Sequence, residues 1–291
     1  MARSLCFLNL KGGVGKTSLA VNIAAHLAYH KGKRTLLVDM DPQSNASQWL
    51  LKYRLWKKID ENPEHSVYAI FLNNGRNVGQ NLIQAPVKKG DGQVIISNLD
   101  VLPASYRLMD LEHEFQETPG VPYFQQFRNH IEIFFPHYEY VNFDCPPNLY
   151  RGTTCALSAC TEIYVPCNPD RLSYAGLWYL SKKLKEKRSL FGADNADQPM
   201  RPFAQMRGII MNDGNPKASY KEIYEEYELK LAEIRNLMPE IVHPEFCIIQ
   251  PMVRSYEDAR KSAYLEKPVT IGNTTLAQDY AEIAGYIDSR E

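Results

Sequence analysis

Positions 10 to 18 read Leu10-Lys11-Gly12-Gly13-Val14-Gly15-Lys16-Thr17-Ser18. An apolar run, Leu5 to Leu8, precedes them, and a helical pattern with Leu19, Ile23 and Leu27 follows. Strand, glycine loop, helix is the context that gives such a segment its meaning. The glycines let backbone N–H groups close around one point, and the start of a helix adds its dipole, so the loop favours phosphate oxygens. Gly12, Gly13, Val14, Gly15, Lys16, Thr17 and Ser18 form the candidate cradle, with Lys16 reaching the outer phosphates and the Thr17 hydroxyl offered to Mg²⁺.

The rest of the chain limits what such a loop can serve. With 291 residues, 44% hydrophobic and 23% charged, it has the composition of a soluble globular protein. A net charge of −1 means that any contact with DNA needs a local basic patch. The six cysteines, at 6, 145, 155, 160, 167 and 247, include no C-x-x-C pair, which argues against zinc and for reduced thiols in the cytoplasm. No secretory signal is visible, and no apolar stretch approaches the ~18 residues of a membrane span. The tail, 274–291, carries Leu276, Tyr280, Ile283 and Ile287 at helical spacing under mostly acidic charges. It reads as a docked helix, because a membrane-surface helix wants a basic polar face.

Strand-like and helical runs alternate, which predicts a single α/β domain over residues 1–291, with a mostly parallel twisted sheet and helices on both faces. Strands are expected at Arg34–Val38, Gln93–Ile96, Tyr140–Phe143, Glu162–Pro166, Met206–Met211 and Phe246–Ile249. Helices are expected after the loop to about His30, near Val67–Leu72, and over Tyr123–Phe135, Tyr174–Arg188 and Lys221–Leu237. Turns are expected at Asn73-Asn74-Gly75 and Lys89-Gly90-Asp91-Gly92, and a surface loop over Gly192–Pro202.

In an open parallel sheet, ligands bind beyond the carboxyl ends of the strands. The glycine loop, Asp39 and Asp41, Asp144 and Asn212 all follow strand-like runs, so they can meet at one edge. Asp144, stiffened by Pro146 and Pro147, suits a Mg²⁺ held opposite Thr17. Asp39 and Asp41 can divide between supporting the metal shell and positioning an attacking water. Lys11 is a second cation at the front of the loop, poorly placed for the phosphates of its own site. It can instead reach across a dimer face to the γ-phosphate of a partner's nucleotide, in the manner of an arginine finger.

The segment from Lys11 to Thr17 resembles the deviant Walker A motif of the ParA/MinD superfamily. Asp39-Met40-Asp41-Pro42-Gln43 resembles the Walker A′ motif of its ParA branch, and Asp144-Cys145-Pro146-Pro147 its Walker B. The stretch Asn98 to Ser105, the run Arg254 with Glu257-Asp258-Ala259, and Lys267-Pro268-Val269 are similar to further family patterns. The resemblance implies an ATPase that dimerises around ATP and Mg²⁺, with Lys11 crossing the interface, Asp41 needed for hydrolysis and Asp39 its partner in the metal and water shell. It places Asn212 and Pro251 at the adenine. Asn142 departs from the pattern, being polar in a strand that is normally apolar. No helix-turn-helix precedes the loop strand, so operator-specific binding is not expected.

The acidic tail argues against the MinD branch, and the missing cysteine pairs argue against the iron–sulfur carriers. The resemblance then implies an ATPase that positions a plasmid, a chromosome region or a protein assembly, with a ParB-like adaptor and non-specific DNA as partners. Lys182-Lys183-Leu184-Lys185-Glu186-Lys187-Arg188 offers one basic stretch for DNA. Lys182 and Lys183 are the candidate contacts there, with Arg254, Arg260 and Lys261 as a second set. The alternative is an ATP-switched scaffold that recruits a protein partner without binding DNA.

Overall fold

In the first strand, β1 (Arg3–Phe7), neighbouring side chains face opposite layers. Leu5 and Phe7 enter one core, Cys6 and the following Leu8 the other, and all are fully buried. Strands β2 (Thr35–Asp39), β6 (Tyr140–Asp144) and β7 (Glu162–Cys167) are buried at every position. That is the mark of a parallel sheet covered on both faces. The computed structural model describes residues 2–71, 87–88, 94–111, 120–193, 204–215, 219–254 and 267–290.

The main sheet has seven strands in the order β5-β2-β6-β1-β7-β8-β9, completed by β5 (Leu99–Leu102), β8 (Gln205–Gly214) and β9 (Val242–Arg254). All its pairings are parallel. A separate two-stranded antiparallel piece joins β3 (Val87–Lys88) to β4 (Val94–Ile96). One layer holds α1 (Lys16–Tyr29), α2 (Asn45–Leu51) and α8 (Thr275–Asp288) against Leu5, Phe7 and Leu37. The other holds α4 (Tyr123–Ile131), α5 (Arg151–Ala159), α6 (Arg171–Ala193) and α7 (Lys221–Leu237). The remaining helix, α3 (Tyr53–Glu61), follows α2 and buries Trp56 and Ile59.

The α/β class with a parallel sheet is as the sequence predicts, and α7 has the predicted bounds. The tail is a docked helix: Leu276, Tyr280, Ile283 and Ile287 are buried, and the Thr274 side chain caps its start by accepting from Ala277 N. Several expectations need correction. Strand β9 runs from Val242 through Pro251 to Arg254 instead of stopping at Ile249, with a cis Gln250–Pro251 peptide inside it. Helix α6 spans Arg171–Ala193 and so takes in Gly192 and Ala193, the first two residues of the predicted surface loop, while 194–202 lie outside the described residues. The predicted Val67–Leu72 helix is a 3-10 turn over Val67–Ile70. Segment 99–102, read only for its likeness to a family stretch, is the edge strand β5. The two predicted turns at 73–75 and 89–92, with Arg260, Lys261 and 257–259, lie outside the described residues.

Candidate functional site

The loop between β1 and α1 is shaped by two left-handed glycines, Gly13 at φ 74° and Gly15 at φ 85°. A side chain at Gly15 would be strained and would also strike Asn212, whose amide nitrogen lies 2.0 Å from the position a Cβ would take. Asn212 uses that amide on the loop itself, donating to the Val14 carbonyl at 3.0 Å. The residue carried to the adenine by resemblance is therefore also a buttress under the phosphate loop. Ser18 is tied to the tail helix by a 2.6 Å hydroxyl contact with Tyr280. Pro251 lies in β9 beside β8, which places it on the same flank as Asn212.

Lys16 is buried, and its ammonium donates to the Lys11 carbonyl at 3.1 Å. Burial lowers its pKa, opposed by the charges of Asp144 and Asp41. Asp144 ends β6 in register with Asp39 at the end of β2 and Phe7 at the end of β1. It is fully buried, and neither carboxylate oxygen has a hydrogen-bond partner. The Thr17 hydroxyl lies close enough to favour the ionised form, yet it closes no bond to those oxygens. Burial raises the Asp144 pKa well above the usual range, and the charges of Asp39 and Asp41 push it the same way.

The two Walker A′ carboxylates differ. Asp39 is saturated: Asp41 N donates to Oδ1 at 3.1 Å, and Ser47 donates to Oδ2 through both its N–H, at 2.9 Å, and its hydroxyl, at 2.7 Å. Burial still lifts its pKa to about 7. Asp41 accepts one bond, from Gln43 N at 2.9 Å to Oδ1, which leaves Oδ2 available beside Lys16. Its pKa is also raised, by burial, against the pull of Gln43 N–H and Lys16.

Lys11 points elsewhere. Its ammonium reaches Asp170 at 2.8 Å and Ser173 at 3.0 Å, at the start of α6. Burial opposes ionisation of Asp170, but the bonds from Lys11 and Ser173 hold its carboxyl below the ordinary value. The Lys11 backbone is fixed by Asn9, whose Oδ1 accepts from Lys11 N at 2.9 Å and whose amide donates to the Pro166 carbonyl at 2.7 Å. Asn9, Ser47, Asp170, Ser173 and Tyr280 are the site residues that sequence reasoning missed. The signal for Asn9 was a polar residue closing an apolar strand; that for Asp170 was the Asn-Pro-Asp segment after β7.

The orphaned Asp144 oxygens, flanked by Thr17 and Lys16, fit a hard divalent cation that takes oxygen ligands. Mg²⁺ characteristically uses one or two carboxylates, with water and phosphate completing its shell. Among the described residues no group of three or more His, Cys, Asp or Glu side chains gathers to hold a metal by itself. All six cysteines are free thiols, and Cys6 and Cys145 touch at 3.3 Å between sulfurs. Asn142 is fully buried two residues before Asp144 with neither amide atom partnered. Such burial costs about 1–3 kcal/mol, and nothing in the structure explains it.

The basic candidates are largely engaged. Arg254 grips the buried carboxylate of Asp279, with its backbone N at 3.1 Å, Nε at 3.0 Å and a further Nη contact. Lys183 pairs with Glu186 at 2.7 Å and Lys185 with Glu240 at 2.9 Å. Lys182 is exposed and lies over the Trp178 ring at 5.2 Å.

Glycine loop, parallel sheet and strand-end carboxylates define a P-loop α/β protein. The chain belongs to the ParA/MinD-type partition ATPases: the AAA domain family model matches residues 2–192. It is 34% identical over 177 residues to the sporulation initiation inhibitor protein Soj of Bacillus subtilis, covering 61% of this chain and 62% of Soj. It is 30% identical over 220 residues to the chromosome partitioning protein ParA of Myxococcus xanthus, covering 75% and 68%. Among solved structures, cobyrinic acid a,c-diamide synthase from Mycobacterium smegmatis, with bound ATP analog and magnesium, superposes with TM-score 0.71 at 20% identity over 99% and 94% of the two chains. pNOB8 ParA bound to nonspecific DNA superposes at 0.69 with 18% identity over the full length of both. These two likenesses are of fold. No described helix is long and apolar enough to cross a membrane.

Proposed function

We propose that the chain is an ATP-dependent, dimerising ATPase that partitions or positions a cargo: a plasmid, a chromosome region or a protein assembly. The observation that carries this reading is the uncompensated Asp144 carboxylate, set beside Thr17 and Lys16 under a left-handed glycine loop. A solved neighbour of this fold holds an ATP analog with magnesium. Bound there, Mg²⁺ would be held by Thr17 and Asp144 and would neutralise phosphate charge.

The chain's own residues divide the remaining work. Gly12 to Ser18 wrap the phosphates with backbone N–H groups, and Lys16 leaves the Lys11 carbonyl for the outer phosphates. Asp41 Oδ2 orients the attacking water and receives its proton, and burial keeps that carboxylate a better base than a solvated one. Asp39, saturated by Ser47 and Asp41 N–H, fixes Asp41. Asn212 and Pro251 flank the base. Lys11 exchanges Asp170 and Ser173 for the γ-phosphate in a partner protomer's site, which makes ATP the ligand that builds the dimer.

The ATP dimer then binds DNA without sequence preference, as pNOB8 ParA has been captured bound to nonspecific DNA. Hydrolysis, accelerated by a ParB-like adaptor, releases it. Retention on immobilised DNA should be strong with ATP and weak with ADP; equal retention in both states would sink the switch. A second reading, a scaffold that recruits a protein without touching DNA, draws on the internal pairing of Arg254, Lys183 and Lys185. It predicts no retention in either state, with ATP-dependent dimers intact.

A further inference from the structure

Helix α3 carries a different set of cations. Arg54, Lys57 and Lys58 are exposed, while Trp56 and Ile59 face inward. At three and four residues' spacing, Arg54 neighbours both Lys57 and Lys58, a like-charge grouping that works against an isolated helix. The same helix carries two acidic residues, Asp60, whose Oδ1 is taken by Ser105 and Tyr106, and Glu61, 4.0 Å from Lys57 with both groups solvated. Arg54 and Lys58 have no ion-pair partner among the described residues. Two aromatic rings flank the cations, Tyr53 at 56% and Tyr106 at 44% exposure. Both lean on Trp56, with ring centroids at 5.8 and 5.3 Å.

The inner side of α3 connects to the candidate catalytic carboxylates. Trp56 Nε1 donates to the Ala104 carbonyl at 3.2 Å, and Ala104 N donates to Ser47 Oγ at 2.9 Å. Ser47 Oγ in turn donates to Asp39 Oδ2 at 2.7 Å. Asp60, on the same helix, holds Ser105 Oγ at 2.8 Å and Tyr106 N at 2.9 Å. An exposed basic and aromatic face is thus joined to Asp39 through one indole and one hydroxyl.

We infer that α3 is a nucleic-acid-binding surface: Arg54, Lys57 and Lys58 meet backbone phosphates, and the chain Trp56–Ala104–Ser47 makes their presentation depend on the state of Asp39. Exposed cations, two of the three without an ion-pair partner among the described residues, interleaved with exposed rings favour a phosphate backbone over an acidic protein. The affinity part stands on α3 alone; the nucleotide dependence rests on the proposed ATP site.

The test uses the full chain, a labelled random-sequence duplex and labelled oligothymidine, with ATP and with ADP. The triple variant Arg54→Ala/Lys57→Ala/Lys58→Ala should keep the parent's melting temperature and lose at least about tenfold in duplex affinity at moderate salt. Its slope of log affinity against log salt should fall by about 2.7, for three phosphate contacts. Lys182→Ala/Lys183→Ala should change the slope less. A parent that binds neither probe overturns both this inference and the DNA-binding part of the proposed function. A parent that binds, with the triple variant matching it in affinity and slope, overturns the α3 surface alone and leaves those cations to an acidic protein or to solvent. Preference for oligothymidine would assign the rings to stacking on single strands; preference for duplex would leave the cations as the main contact, and either supports the surface. Trp56→Phe keeps the ring and removes the donor to Ala104, so it should retain ATP-state affinity while narrowing the ATP-to-ADP ratio. An unchanged ratio would overturn the coupling.

Discussion

The two ends of the main sheet are built from similar residues and treated in opposite ways. At the amino ends of the strands every described carboxylate has a partner. Glu162 takes Arg3 at 2.9 Å through each oxygen and the Tyr164 hydroxyl at 2.8 Å. Asp288 accepts from Tyr140 at 2.7 Å, and Asp100 from Tyr138 at 2.7 Å. At the carboxyl ends Asp144 has no partner, Asp41 keeps an oxygen open and Lys16 has only a carbonyl. A buried polar group without compensation costs stability. A fold that tolerates several at one edge and none at the other marks the first as the place for a charged ligand and the second as frame.

Substitutions at the two ends should therefore separate binding from stability. The largest effect is expected for Lys16→Ala, which should weaken labelled ATP binding by about 100-fold, the loss of charge-assisted bonds worth about 3 kcal/mol, with little change in melting temperature. Arg3→Met at the opposite end should do the reverse. It leaves the buried Glu162 carboxylate with only the Tyr164 hydroxyl at 2.8 Å and a distant Arg207 at 3.8 Å, costs about 2–3 kcal/mol and lowers the melting temperature by about 5 °C without moving ATP affinity. If both variants lose stability and neither loses affinity, the division fails.

A smaller effect is expected from pH. Asp39 titrates near 7 in the fold, and Asp144 and Asp41 are also raised, mainly by burial. The folded state then holds protons that the unfolded chain has already released, so raising the pH costs stability. His26, pushed down to about 4 by burial, works in the opposite sense but only below its unfolded value of 6.5. Without nucleotide or Mg²⁺, melting should thus fall by about 2–5 °C between pH 6.5 and 8. Asp144→Asn should flatten that fall. A rise across the window would contradict the assigned directions. The smallest effect is expected for Lys33→Ala, which breaks only a solvated pair with Glu139: melting temperature and affinity should both match the parent.

The sequence was most informative where backbone geometry and chemistry coincide. The glycine loop between an apolar run and a helical pattern, and the alternation of strand-like and helical runs that implies a sheet covered on both faces, are both legible in the sequence. The bounds of α7 followed from a regular apolar stripe and a stopping Pro239. Edge strand β5 is hidden in the sequence because Asp100 interrupts it, and that aspartate is supported by the distant Tyr138 and by the charge of Arg34. Strand β9 was cut short at Pro251 because a proline removes a ladder donor, a penalty the sheet edge does not impose. The roles of Asn9, Ser47 and Asp170 depend on partners up to 159 residues away, and no local pattern carries such pairings. Arg254 shows the converse: a plausible phosphate ligand by sequence, it is committed to Asp279 in the fold.

The central claim is that Lys11, now held by Asp170 and Ser173, serves the active site of a second copy. Sedimentation velocity of the full chain with Mg²⁺ and ATP, parent against Lys11→Ala, tests it directly. The account predicts that the parent dimerises with ATP and not with ADP, while Lys11→Ala binds ATP but remains monomeric. A Lys11→Ala protein that dimerises on ATP as the parent does would contradict it.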